Sequence, residues 1–294
     1  PTAADYALKV PKEQELLPKL AKRLSVNIPA PIKMGNPSTY TKETSSVARK
    51  MSGELAEPIL IGEHKRNPKF DDTNVEVSKA DYPYPFSIYK WLPGKSINLL
   101  TLTAQDKEQL AFDLAKFLKE LQAITNVEGP PAFAEASAWC KPGQHNWWRG
   151  DHVSVYDKGA REQIAELAEI IDASQLLALW DKACATKWDK KPVWIHGDFT
   201  IGNILMNDGK LSAVIDFGGA AVGDPACDLV IAWTYLSGKA RETFISKMDM
   251  DPDTWLRARA WALWKATFEL CQIADTNSQE ADLQKRIIDE VMNG

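Results

Sequence analysis

Asp198, Asn203 and Asp216 are the residues of this sequence whose types and spacing best suit chemistry. Asp198 closes the tripeptide His196-Gly197-Asp198, which follows a short apolar run, Val193–Ile195, and Asn203 stands five positions beyond it. Ile204-Leu205-Met206, the turn Asn207-Asp208-Gly209 and a second apolar run, Leu211–Ile215, then lead to Asp216-Phe217-Gly218. An Asp-Gly turn between two apolar runs predicts a β-hairpin. Such a hairpin brings Asn203, entering one strand, and Asp216, leaving the other, to the same open end. An amide oxygen and a carboxylate facing one point suit magnesium, which takes oxygen donors and keeps places for waters and substrate phosphates. Asp198, in the loop beside them, is placed to accept a proton from an attacking hydroxyl. Positioning and charge neutralisation are most of what phosphoryl transfer asks of a protein. The alternative is a buried hairpin with two capping aspartates. His196 reads as a hydrogen-bonding brace for the loop.

The elements that must position these residues follow from periodicity. Residues 10–24 predict a helix with Leu16, Leu17, Leu20 and Leu24 on one face. Ile28-Pro29-Ala30-Pro31-Ile32 leads into a strand, and residues 82–94 read as an aromatic-rich strand stopped by Pro93-Gly94. Thr103 and Asp106 have capping-box spacing ahead of an apolar stripe of Leu110, Leu114, Phe117, Leu118 and Leu121. Helical stretches are expected near 162–171 and 175–185, and after the motif the chain reads as helical, with Trp255, Trp261, Trp264 and Phe268 supplying apolar bulk. Residues 38–79 are polar and of mixed charge, with two short candidate strands at 59–62 and 74–77. The loop 129–150 carries Trp139, His145, Trp147 and Trp148, which suit packing or a substrate wall.

With 45% hydrophobic and 26% charged residues, the 294-residue chain is globular and large enough for a substantial core, which excludes a disordered or fibrous protein. A net charge of −5 is too balanced to indicate nucleic acid and mildly favours a cationic substrate. Cys140, Cys184, Cys227 and Cys271 lie far apart, which argues against a zinc site or a disulfide framework and for reduced thiols in a cytoplasmic protein. No apolar run approaches a membrane span and no signal peptide is visible, so no membrane partner is expected. Because the chain opens on Pro1, its native start is expected to lie upstream.

His196-Gly197-Asp198 with Asn203 has the spacing of the kinase catalytic loop H-R-D-x-x-x-x-N, with glycine in place of arginine. With Asp216-Phe217-Gly218 and Gly223-Asp224-Pro225 through Asp228, the stretch resembles the aminoglycoside phosphotransferase family of antibiotic and small-metabolite kinases. The resemblance implies an α+β, protein-kinase-like two-lobe fold. Its small β-rich N-terminal lobe would cover residues 1–89, with an atypical insertion at 38–79, followed by a hinge at 90–95 and a mostly helical lobe at 96–294. It further implies Asp198 as catalytic base, Asn203 and Asp216 as magnesium ligands, and Asp228 as a carboxylate bracing the loop, though Asp224 and Asp228 also suit helix caps. ATP would lie between the lobes, against backbone groups around Lys90, Trp91 and Leu92, with Glu13 pairing the phosphate-binding lysine, although Glu13 and Glu15 could each simply face water. In the family that lysine lies on a strand ahead of the first helix, and Lys9 is the early candidate. No glycine-rich loop is present, so either the start lies outside this sequence, or residues 38–79 supply substitute strands, or nucleotide binding is weakened.

The expected activity is ATP- and magnesium-dependent phosphorylation of a small-molecule hydroxyl. An aminoglycoside-type antibiotic or a metabolite alcohol such as choline or homoserine would be the acceptor, with Glu269, Asp275, Glu280 and Asp282 as carboxylates that could hold an amine or simply face water. The rivals are a binding protein on a kinase scaffold and a metal-dependent hydrolase using His196, Asp198 and Asp216.

Overall fold

The computed structural model describes residues 10–35, 84–125 and 148–294. The expectations for Lys9, residues 38–79, Trp139, Cys140, His145 and Trp147 lie outside them. Helix α1 (Val10–Leu20) buries Leu16, Leu17 and Leu20, and ends four residues earlier than periodicity predicts. Pro18 lies in its last turn and cannot donate back along the helix. Beyond it, Ser25 donates its N–H and hydroxyl to the Glu120 carboxylate at 2.8 and 2.9 Å, a tertiary contact that replaces continuation of the helix.

Strands β1 (Pro31–Gly35) and β2 (Phe86–Tyr89) pair antiparallel, with Lys33 opposite Ile88. The Gln14 amide donates to the Phe86 carbonyl at 2.9 Å, tying α1 to this sheet. After an extended segment, β3 (Lys95–Ser96) joins β5 (Ile204–Asn207), which pairs with β6 (Lys210–Val214) in a three-stranded antiparallel sheet. The second sheet of the body pairs β4 (Val193–Ile195) with β7 (Ala221–Gly223).

The rest is helical. Helix α2 (Ala104–Gln122) has the expected capping box, with Thr103 and Asp106 exchanging hydrogen bonds, and buries the whole predicted stripe. Helices α3 (Asp157–Glu166) and α4 (Ala173–Cys184) are each shifted toward the N-terminus of the expected stretch. A 3₁₀ turn at Val153–Tyr156 runs directly into α3, and Asp172 caps α4 by accepting from the Gln175 N–H at 3.1 Å. Both starts are set by turn and cap contacts that apolar periodicity does not carry. The short α5 (Ile231–Thr234), α6 (Gly238–Met248), α7 (Pro252–Gln272) and α8 (Gln279–Asn293) complete the body. One continuous core runs from α1 through α2 and the two sheets to α8. Trp261 is buried within it, whereas Phe268, expected as apolar bulk, is 45% exposed. No helix among the described residues is long and apolar enough to cross a membrane. Cys184, Cys227 and Cys271 are free thiols.

Candidate active site

The hairpin forms as its turn chemistry dictates. Asp208 and Gly209 both take positive φ, 50° and 73°, as a tight two-residue turn requires. The register sets Ile204 opposite Val214, and the Ile215 N–H donates to the Asn203 carbonyl at 2.9 Å. Asn203 and Asp216 therefore meet at the open end.

Strand β4 delivers the loop to this end. His196 is fully buried; its Nε2 lies 2.9 Å from the Ile215 carbonyl and its Nδ1 3.2 Å from the Asp198 N–H. A carbonyl only accepts, so Nε2 carries the proton and Nδ1 is the acceptor. The imidazole thus bridges the loop to the strand that leads into Asp216. Asp228, also fully buried, accepts from the N–H groups of His196 at 2.6 Å and Gly197 at 2.8 Å. Burial pushes its carboxyl above the usual carboxylate range, against the opposing pull of His196 and of both N–H groups. Gly197 has φ 81°, and a Cβ there would lie 2.1 Å from the Gly219 carbonyl oxygen. This close approach explains the glycine where the kinase pattern has arginine. Asp224 caps the 3₁₀ turn at Pro225–Asp228 and is ion-paired at 2.6 Å with Arg257 of α7, both groups buried. The two aspartates therefore divide the roles that the sequence left open: Asp224 is the cap, Asp228 the brace.

Asp198 is partly buried, its carbonyl accepting from the Thr200 N–H and from the Asn203 amide, each at 2.9 Å. The same amide nitrogen lies 3.3 Å from Asp198 Oδ2. With its nitrogen so engaged, Asn203 has its amide oxygen as the remaining donor atom toward a cation. Asp216 adopts the left-handed conformation, φ 63° and ψ 66°, which only a minority of non-glycine residues tolerate. Its Oδ1 accepts from the Gly218 N–H at 3.4 Å. One carboxylate and one amide oxygen at the open end are a donor set that fits magnesium.

On α1, Glu13 Oε2 accepts from the Tyr89 hydroxyl at 2.9 Å, while Glu15 is exposed and pairs with Lys19. Burial and the Glu13 charge push the Tyr89 hydroxyl well above its ordinary range. Lys90 and Trp91 are exposed and Leu92 half-buried, in a segment outside any strand. Ser212 fastens the next residue, donating to the Pro93 carbonyl at 2.8 Å.

A cavity of about 250 Å³ opens between Thr200 and Ile201 and helices α7 and α8. Glu269 lines it, accepting from the Gln284 amide at 2.6 Å. Lys265 lines it too, with Nζ 3.7 Å from Asp198 Oδ1. Sequence reasoning missed Lys265. Its signal was there: a lone lysine within Ala260-Trp261-Ala262-Leu263-Trp264-Lys265-Ala266-Thr267, a run with no polar face.

Residues 1–261 match the phosphotransferase enzyme family (APH), so the chain belongs to that family of enzymes. Its fold is that of the protein-kinase-like APH enzymes: the whole chain superposes on 85% of APH(2")-IIia, solved as a GDP and kanamycin complex, with a TM-score of 0.61 and 19% identity. Local sequence matches are 59% identity over 44 residues to a putative 3-methyladenine DNA glycosylase of Rickettsia bellii (strain RML369-C), and 42% over 45 residues to an aminoglycoside 3'-phosphotransferase of Escherichia coli. Each covers 15% of this chain and only 20% and 17% of those proteins, respectively.

Proposed function

We propose that the protein transfers the γ-phosphoryl group of ATP to a hydroxyl of a small molecule in the presence of magnesium. The observation that carries this reading is the convergence of Asp198, Asn203 and Asp216 at one end of the hairpin, beside a cavity for an acceptor. Asp198 takes the proton as the acceptor oxygen bonds to phosphorus, the bond from phosphorus to the bridging oxygen breaks, and the nucleoside diphosphate leaves. Asn203 and Asp216 would hold a magnesium ion, which would supply charge neutralisation at the phosphates. The backbone of Lys90–Leu92 receives the adenine, and Glu13 stands on the nucleotide side. Of the described residues, 10–35 and 84–89 are assigned to the small lobe and 96–125 and 148–294 to the large one. The protein is read as cytoplasmic.

Aminoglycosides belong in the acceptor screen, because the kanamycin complex and the 3'-phosphotransferase are among its relatives. The second reading, a smaller metabolite alcohol, is favoured by the cavity's modest size and by Glu269 being engaged with Gln284. Titration with ATP and GTP, with and without magnesium, followed by a diphosphate-release screen over antibiotics and amino alcohols, tests the proposal. GTP is included because that relative holds GDP. Failure of both nucleotides to bind removes the enzymatic reading. Asp216→Ala is expected to impair magnesium binding more severely than Asn203→Ala, since it deletes the charged ligand.

A further inference from the structure

We propose that Lys265 recognises a carboxylate on the acceptor, so that the substrates of this site are short hydroxy carboxylates and not polycations. The inference rests on the cavity being the acceptor site of the proposed phosphotransferase. Among the described residues lining that cavity, the charged side chains are Lys265 and Glu269, one helical turn apart on α7. Glu269 is engaged by the Gln284 amide. The Lys265 ammonium, with a side chain 29% exposed, is paired with Asp198 at 3.7 Å, longer than a hydrogen bond, and makes no hydrogen bond among the described residues. A largely covered cation, three donors to place, therefore stands beside the base on the acceptor side.

Apart from Glu269, the lining around it is uncharged, with Ile201, Val230 and Leu283 among its walls. An acceptor ammonium brought to Asp198 would meet Lys265 as a like charge, whereas a carboxylate seated on the Lys265 side, away from Asp198 and Glu269, would offer it the short charge-assisted bonds that Asp198 does not. The two recognition points are one ion-pair length apart, 3.7 Å, so the carboxylate belongs within a few bonds of the reacting hydroxyl. The cavity, about 250 Å³, is below the roughly 300–1,000 Å³ of sites for drug-sized ligands. Lys265 keeps all its protons throughout: the hydroxyl proton passes to Asp198 and the phosphoryl group to the acceptor oxygen.

The test is diphosphate release by the full chain with magnesium and whichever of ATP or GTP binds. The acceptors are 3-hydroxypropionate, 4-hydroxybutyrate and glycerate, each beside its amide, with kanamycin as the polycation. Carboxylates should exceed their amides by about ten- to a hundredfold in kcat/KM, the range for a hydrogen bond to a charged group. Lys265→Gln should abolish that preference through KM, and Lys265→Arg should retain much of it, with nucleotide affinity and melting temperature unchanged in both. Equal use of acid and amide, turnover of kanamycin alone, or no turnover of any carboxylate by nucleotide-bound protein would each overturn the proposal. So would a loss of kcat in Lys265→Gln that is the same for every acceptor, which would put the ammonium on the transferred phosphoryl group. Failure of nucleotide to bind is a different result, which overturns the phosphotransferase reading itself and this inference with it.

Discussion

Replacing Asp228 by asparagine changes one buried oxygen into an NH₂ group and so isolates what the brace contributes. Both carboxylate oxygens are in use, one on the His196 N–H at 2.6 Å and one on the Gly197 N–H at 2.8 Å, with no exposure to solvent. An asparagine can satisfy only one of these donors and turns its own N–H groups toward the other. A hydrogen bond to a charged group contributes about 1.5–3 kcal/mol, and an orphaned buried donor costs about 1–3 kcal/mol. Against this, the amide avoids burying a charge, a cost evident in the raised Asp228 carboxyl. The net expectation is a loss of about 2–4 kcal/mol. Urea denaturation should show a lower midpoint with an unchanged slope, since the area exposed on unfolding is the same. Turnover should fall because the loop carrying Asp198 loses its anchor, while nucleotide affinity of the folded fraction persists. An unmoved midpoint with turnover abolished would mean that Asp228 takes part in the chemistry; an unmoved midpoint with full turnover would refute the brace altogether.

Asp198→Asn should retain the fold and nucleotide binding and lower turnover by roughly 10²–10⁴-fold; unchanged single-turnover rates would remove it from the role of base. Gly197→Ala should destabilise the protein by more than about 2 kcal/mol, because it adds a left-handed strain of about 1–2 kcal/mol to a Cβ placed 2.1 Å from the Gly219 carbonyl; a melting temperature within a degree of wild type would contradict this. Asp251 is raised by burial but lowered further by Lys190 and Thr254, leaving its carboxyl at about 2. A folded-state value below the ordinary one contributes stability that is fully present above about pH 4 and is lost as pH falls toward 2. Solvent screening limits the gain to under about 1 kcal/mol. The difference between wild type and Asp251→Asn in urea midpoints should therefore close over that window, and a gap that widens on acidification would refute it.

What was legible in the sequence is what short-range spacing encodes. The Asp-Gly turn, the two flanking apolar runs and the five-residue interval from Asp198 to Asn203 are local, and the structure puts these residues where that spacing says. The Thr103–Asp106 box is equally local. Lys265 stands out locally as a lone lysine in an apolar run, but nothing within α7 says that residue 198 is its neighbour. Periodicity extends α1 to Leu24, but Pro18 within it and the Glu120 carboxylate of a distant helix end it earlier. Glu13 and Glu15 were indistinguishable as letters. Their difference is the Tyr89 hydroxyl on one side of the helix and solvent on the other.

The chemical hairpin is flanked on both edges by segments from far earlier in the chain. Lys95–Ser96 lies along β5, while on β6 the Asn27 carbonyl accepts from the Val214 N–H at 3.0 Å and the Asn27 amide donates to the Ser212 carbonyl at 3.0 Å. Residues 27 and 212 are 185 positions apart. Contacts of such separation close slowly, because loop entropy is lost before the pairing rewards it. The turn at Asp208-Gly209 can form early by itself, but the sheet that fixes the hairpin cannot be completed until the helices between have collapsed around α2. Recovery of catalytic function during refolding should thus trail recovery of helical signal, with the hairpin's slowest-exchanging amides protected in the final phase.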